Sequence, residues 1–201
     1  LNGQINDVGE YMRVNVDRSS RLGLEIMAEI RPIKSLRLAA NYTLSRNRVA
    51  AFTEYVDQYD AEFNWIGQLA VERSQTHLAF SPSHIANAEV EWNLWADASE
   101  QRRLSATLLN KYVGRQFIDN SSDEANALPA YFYSDLRLEY QLQPAFARSL
   151  GLNLLVQNLW NAQFASNAWS YRYQADGALL LDQGFFPQAG RNVLLGLTLG
   201  F

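Results

Sequence analysis

The chain has 201 residues, a formal net charge of −4 and a pI near 5.2, so it offers no basic surface for nucleic acid. Cysteine is absent, which excludes disulfides and thiolate metal sites. The mean hydropathy is −0.23, and no apolar run approaches the ~18 residues of a membrane helix. These values do not exclude membrane strands, because such strands turn only alternate residues toward lipid.

A period of two runs down the chain and predicts β-strands. The first candidate, "YMRVNV" at 11–16, is short and places Met12, Val14 and Val16 on its apolar side. A short turn is expected near 17–20. Seven longer segments follow, and none has a charge on its apolar face: 21–30, 36–44, 84–94, 103–112, 132–142, 150–158 and 193–201. Each has about 10 residues, enough for a tilted strand to cross an apolar band of roughly 25 Å.

The connections between these segments alternate in length. Short ones fall at 31–35, 96–101 and 143–149, and long ones at about 48–83, 118–130 and 162–190. This alternation is typical of an outer-membrane barrel, whereas a soluble β-sandwich, the alternative, has shorter strands and short connections at both ends. Aromatic residues near the strand ends suit interfacial girdles: Trp92, Trp95, Tyr140, Trp160 and Phe201. The sequence therefore predicts an all-β fold, an antiparallel transmembrane β-barrel.

The predicted wall is not expected to close on itself. Its second face is rich in small and polar residues such as Asn41, Thr107 and Gly151, which suit a wide lumen better than a filled core. The segment at 11–16 is too short to seal a seam against the final strand, and unpaired edges are not tolerated in lipid. We therefore expect about eight C-terminal strands of a larger barrel.

Four blocks of sequence resemble TonB-dependent outer-membrane receptors. They are "RSSRLGLEIMAEIRPIKSLRLAANYTLSRN", "AFSPSHIANAEVEW", "LLVQNLWNAQF" and "FFPQAGRNVLLGLTLGF". The resemblance implies a barrel of about 22 strands around a plug. Residues 1–201 would form its C-terminal barrel segment, with the plug domain and the N-terminal strands absent from this chain. The chain carries no signal peptide and begins with Leu1, so we expect a processed end or a part of a longer protein.

The same resemblance implies a function and its partners. Outer loops would capture a scarce ligand such as a ferric siderophore, cobalamin, haem or an oligosaccharide, and the energy-coupling TonB protein would act through the plug. The location implied is the outer membrane of a Gram-negative bacterium, crossed many times, with lipid, lipopolysaccharide and the barrel-assembly machinery as further partners. Gly196, Leu199 and Phe201 resemble the terminal assembly signal, although Leu194 stands where that signal prefers a polar residue.

Residues of the three long connections are the ligand-binding candidates. Aromatic rings with a few polar groups suit stacking on a planar or sugar-like ligand. Packing of loop against loop, or a place in the outer girdle, is the alternative. The candidates are Tyr59, Asn64, Trp65, Asp119, Asn120, Trp169, Tyr171, Arg172 and Tyr173.

Enzymatic and metal chemistry have little support in the sequence. Ser83 and His84 are adjacent, and neighbours on a strand point to opposite faces, so they cannot form a nucleophile–base pair. Asp57, Asp60 and Glu62 could offer oxygens to Ca²⁺, but their spacing defines no binding loop, and a solvated loop is the alternative. We expect no enzyme and no cofactor. A self-contained small barrel with a structural or adhesion role is the alternative function, followed by a barrel hydrolase.

Overall fold

The computed structural model describes residues 3–12, 15, 18–99 and 101–201. Within those ranges the chain forms twelve β-strands and no helix, so no helix there could cross a membrane. The strands are β1 (Arg18–Ile33), β2 (Leu36–Tyr59), β3 (Trp65–His77), β4 (His84–Ala96), β5 (Arg102–Val113), β6 (Gln116–Phe117), β7 (Ala127–Leu128), β8 (Tyr131–Leu142), β9 (Ser149–Gln157), β10 (Ala165–Ala175), β11 (Ala178–Pro187) and β12 (Asn192–Gly200).

Seven long strands form an antiparallel wall in the order β1-β2-β4-β5-β8-β9-β12. They coincide with the seven segments of alternating sequence, so that prediction is confirmed. Short connections join β1 to β2, β4 to β5 and β8 to β9, all at one end of the wall. β1 and β12 are its two edges.

The alternating pattern separates two faces of the wall. On the apolar face, defined by the even residues of β9 and the odd residues of β12, Leu154 lies between Leu138 and Leu195. Leu195 is 83% exposed, and the second sheet among the described residues consists of only two strands of two residues each. No protein layer covers this face, so the sandwich alternative is wrong.

The opposite, polar face carries hydrogen-bonded and charged groups. Arg37 Nη2 lies 3.0 Å from Glu29 Oε2, and its Nη1 contacts Glu89 and Glu91 across the strands. Asn87 Nδ2 donates to Asn41 Oδ1 at 2.8 Å. Cross-strand pairing on this face satisfies polar groups within the protein, as the wall of a wide lumen requires.

Two of the three long connections differ from expectation because they are β-hairpins rather than irregular loops. β2 continues to Tyr59 and pairs with β3, and β10 pairs with β11. The pairing of β2 with β1 shifts register near Ala50, where Arg18 pairs with Ala51 and Ser19 with Val49, whereas its pairing with β3 shifts only between Gln58 and Tyr59. Polar residues on both sides of these hairpins obscured their strand character, because no apolar face is required outside a membrane band.

The N-terminal region also differs from expectation. Tyr11 forms an isolated bridge with Ile5, and Met12 N donates to Gln4 O at 2.7 Å, so 3–12 is a small turn. Val14 and Val16 of the candidate strand at 11–16 lie outside the described residues. The turn expected at 17–20 is wrong from Arg18 onward, because β1 already begins there.

The hairpin β10–β11 crosses from the β9–β12 end of the wall to the outer part of β2. β10 pairs with β2 in parallel through Tyr173–Asp57, Gln174–Gln58 and Ala175–Tyr59. β1 pairs with β2 only as far as Ala51, on the side that β10 joins from Asp57 onward. Residues 52–56 of β2 therefore face a gap between two strands, and this gap positions the candidate site.

Candidate ligand-binding pocket

A cavity of about 540 Å³ opens at the gap between β1 and β10. Its lining comes from β2, the connection between β3 and β4, β10, the N-terminal turn and the outer loop, a name we give to residues 118–126. The outer loop is held to β10 by a small core of Ile118, Leu128 and Ala168. Polar, charged and aromatic side chains of the lining include Tyr11, Phe52, Glu54, Asp57, Phe80, Asp119, Asn120, Ser121, Trp169, Tyr171 and Arg172.

Arg172 joins β10 to the outer loop. Its side chain is 7% exposed, and its Nη2 lies 2.9 Å from Asp123 Oδ2 and 3.8 Å from Asp119 Oδ2. The same Nη2 donates to Ser121 Oγ at 3.1 Å. Asp119, Ser121 and Asp123 are alternate residues of the outer loop, and the one guanidinium contacts all three side chains.

Glu54 adds β2 and β3 to this cluster. Its Oε1 lies 3.8 Å from Arg172 Nε, and its Oε2 accepts from Arg73 Nε of the paired strand at 2.8 Å. Arg172 Nε is buried and has no hydrogen-bond partner in the described part of the chain. Glu54 Oε1, 3.8 Å away, therefore offsets the charge of this group without a hydrogen bond.

Asp57 is the second polar centre of the cavity and lies next to the first, which is formed by Arg172 and its carboxylate partners. Its Oδ2 accepts from Tyr11 at 2.6 Å and Tyr171 at 2.8 Å, and its Oδ1 accepts from Gln68 at 2.9 Å and Trp65 at 3.3 Å. Burial opposes ionisation, but these hydrogen bonds outweigh it and hold the pKa of Asp57 below its usual value. The carboxylate is therefore ionised although only 3% of the residue is exposed.

The N-terminal turn is fixed to the same centre. Gln68 Nε2 donates to Gly3 O at 2.7 Å while its Oε1 accepts from Ile5 N at 3.1 Å. Gly3 has φ +86° and lies against the Tyr55 carbonyl, where a Cβ would collide. A glycine is required here by both the backbone conformation and the close approach.

Aromatic rings surround the two centres. Tyr171 and Tyr173 stack with centroids 5.3 Å apart, and the Tyr171 hydroxyl lies 3.0 Å from that of Tyr59. Burial and the hydrogen bonds with Tyr59 and Asp57 raise the pKa of Tyr171, so its hydroxyl remains protonated and donates. Trp169 lies over Gly184 on β11, where any Cβ would collide with the indole.

The structure brings together most of the residues proposed from sequence. Asp119, Asn120, Trp169, Tyr171 and Arg172 line the cavity. The other four lie beside it or apart from it. Tyr59 contacts the hydroxyl of Tyr171 and the ring of Tyr173, and Trp65 donates to Asp57. Asn64 lies in the β2–β3 turn and donates to Asp60.

Sequence reasoning missed several lining residues: Tyr11, Phe52, Glu54, Phe80 and Ser121. Asp57 was considered only as a metal ligand. No sequence signal indicated Phe52 and Glu54, because β2 has no apolar period beyond the wall. Among the described residues no group of three or more His, Asp or Glu side chains could hold a metal ion.

The remaining sequence candidates are not part of the cavity lining. Gly196 is opposite Asn153 and Leu199 opposite Leu150 in the wall, and Phe201 follows the end of β12 with 89% of its surface exposed. His84 Nδ1 lies 2.7 Å from the Tyr42 hydroxyl, so the imidazole is engaged with an aromatic neighbour rather than with Ser83.

Comparisons with known proteins agree with this architecture. Residues 1–159 match the family model described as TonB dependent receptor-like, beta-barrel. The fold is similar to the siderophore receptor PiuA from Acinetobacter baumannii, with a TM-score of 0.56 and 13% sequence identity. That match covers 89% of this chain but only 21% of the receptor, so the chain spans about a fifth of that protein. No curated protein matches. The chain belongs to the family of TonB-dependent receptor β-barrels.

Proposed function

We propose that the chain forms the C-terminal part of the barrel of an outer-membrane receptor that takes up a scarce ligand by TonB-dependent transport. The observation that carries the proposal is the cavity of about 540 Å³ at the outer end of a wall whose apolar face is uncovered. A binding site held beyond a membrane-crossing wall suits capture from outside the cell. The family, whose members are transporters, supports a receptor rather than an enzyme.

A ferric siderophore is the ligand that we propose. The fold is similar to that of a siderophore receptor, and the cavity combines aromatic rings with convergent polar groups, as small-ligand sites do. Strands from elsewhere would pair with the free edges of β1 and β12. TonB would act through a plug within the completed barrel, and lipid and lipopolysaccharide would contact the apolar face.

Removal of the Trp169 indole tests the location of the site. In the complete receptor, Trp169→Ala is expected to weaken binding of a ferric siderophore about tenfold, because the ligand loses an aromatic surface of the cavity. Fluorescence titration of the purified receptor measures the affinity. Trp160→Phe is the control, since Trp160 lies outside the cavity lining. Equal affinities for Trp169→Ala and the unchanged receptor would contradict the proposed site.

Removal of Phe201 tests the proposed assembly signal. Shortening the chain by this one residue is expected to lower the amount of folded barrel in the outer membrane several-fold, although Phe201 lies beyond the last paired residue of β12. Heat-modifiable electrophoretic mobility of membrane fractions measures folded barrel. Phe201→Tyr, which keeps the ring, is expected to assemble normally. Unchanged abundance after removal would refute the signal.

A further inference from the structure

The negative charge of Asp57 is not neutralised by the protein. Its four hydrogen-bond donors, Tyr11, Trp65, Gln68 and Tyr171, are all uncharged. No ion pair within 4 Å reaches Asp57 from a cationic side chain of the described residues. Uncharged donors stabilise the ionised form without cancelling its field, which is screened less at a residue that is only 3% exposed than it would be in water.

The other charges of the cavity wall do not reverse this field. Glu54, Asp57 and Asp119 line the cavity together with one cation, Arg172. Arg172 is held by Asp119 and Asp123 and lies near Glu54, so its positive charge is already offset. An anionic ligand would have to displace these carboxylates from the guanidinium and leave them unpaired at a partly buried site, which has a cost.

The aromatic lining favours the same sign of ligand charge. Phe52, Phe80, Trp169 and Tyr171 are the aromatic residues that line the cavity together with Tyr11 and Tyr55. The face of an aromatic ring attracts cations through its quadrupole, with indole the strongest of these rings. The acidic groups and the ring faces therefore both favour a positively charged ligand.

We propose that this pocket selects ferric chelates that carry a positively charged group, such as an ammonium-bearing hydroxamate chelate, over anionic catecholate chelates. Asp57 provides the selecting charge, and Trp169 and Tyr171 provide ring surfaces close to it. This inference rests on the proposed receptor function and names the charge class of its ligand.

Replacement of Asp57 by Asn tests the proposal with little change in shape. An asparagine can accept from Gln68 and Trp65 through Oδ1 and donate through Nδ2 to the hydroxyls of Tyr11 and Tyr171, which are able to accept. The hydrogen-bond network is thereby retained while the charge is lost. Asp182→Asn on β11 is the matched control, because Asp182 pairs with Tyr171 across the strands but is exposed and outside the cavity lining.

Affinities of the complete receptor are measured for three probes: a cationic ferric trihydroxamate, a neutral ferric trihydroxamate and an anionic ferric tris-catecholate. The unchanged receptor is expected to bind the cationic probe at least tenfold more tightly than the anionic one. Asp57→Asn is expected to reduce this ratio about tenfold and to leave the affinity for the neutral probe within about twofold. Asp182→Asn is expected to keep the ratio.

Other outcomes overturn the proposal in distinguishable ways. A receptor that prefers the anionic probe, or an Asp57→Asn variant that loses affinity for all three probes equally, contradicts charge selection while leaving siderophore binding intact. A receptor that binds none of the three probes refutes the charge-class proposal together with the proposed siderophore function.

Discussion

Leu154→Arg is expected to reduce the folded barrel in the outer membrane to a small fraction of its normal amount. Leu154 lies on the apolar face between Leu138 of β8 and Leu195 of β12, inside the β9–β8 ladder that runs from Leu150 to Val156. A cation facing lipid near mid-membrane costs about 2–4 kcal/mol, a large share of the stability of an ordinary domain. Heat-modifiable mobility of membrane fractions measures the outcome.

Asn153→Arg is the matched control at the same depth on the polar face. Asn153 pairs with Gly196 on one side and with Glu139 on the other, so an arginine here gains a carboxylate neighbour and open space. Gln157→Arg, on the polar face near the outer end of β9, is likewise expected to assemble normally. Equal yields of Leu154→Arg and Asn153→Arg would show that the two faces have been assigned incorrectly.

Arg172→Met is expected to separate the outer loop from β10. The guanidinium offsets Glu54, Asp119 and Asp123, and its removal leaves their mutual repulsion in a partly buried site. Breaking such a cluster costs up to about 3 kcal/mol, less than a fully buried pair because Asp119 and Asp123 are partly exposed to solvent. Hydrogen exchange of the complete receptor is expected to show faster exchange at residues 118–126.

The control for this variant is Arg115→Met. Arg115 precedes the outer loop and pairs with Glu124, and both side chains are exposed. An exposed pair contributes less than about 1 kcal/mol, so little change in exchange is expected. If both variants exchange alike across 118–126, the role given to Arg172 is wrong.

The wall could be predicted from sequence because lipid requires apolar side chains on one face of every strand that crosses it. In β12 and the residue that follows it, every second position from Val193 to Phe201 is apolar, and a nine-residue strand with this pattern is explained by one face turned toward lipid. The same alternation of apolar residues predicts the other six wall strands. The short connections could be placed as well, since each occupies an interruption between two alternating runs.

The outer hairpins and the pocket could be predicted only in part. Beyond Ala50, β2 has water or protein on both sides, so Glu54 and Asp57 are as acceptable there as Phe52 and Val56, and no apolar period is visible. Candidate residues such as Trp169 and Arg172 could be chosen by type. Their proximity to Asp57 could not be predicted, because it depends on the parallel pairing of β10 with β2, which the local sequence does not encode.

That parallel pairing has a consequence for the order of folding. The bond between Tyr171 and Asp57 joins residues 114 apart in the chain, whereas the wall forms from neighbouring hairpins. Distant contacts require the entropy of a long loop to be lost before they stabilise anything. β10 can therefore reach β2 only after the intervening strands have come together. The cavity consequently depends on a finished wall: a chain whose strands have not yet assembled lacks it.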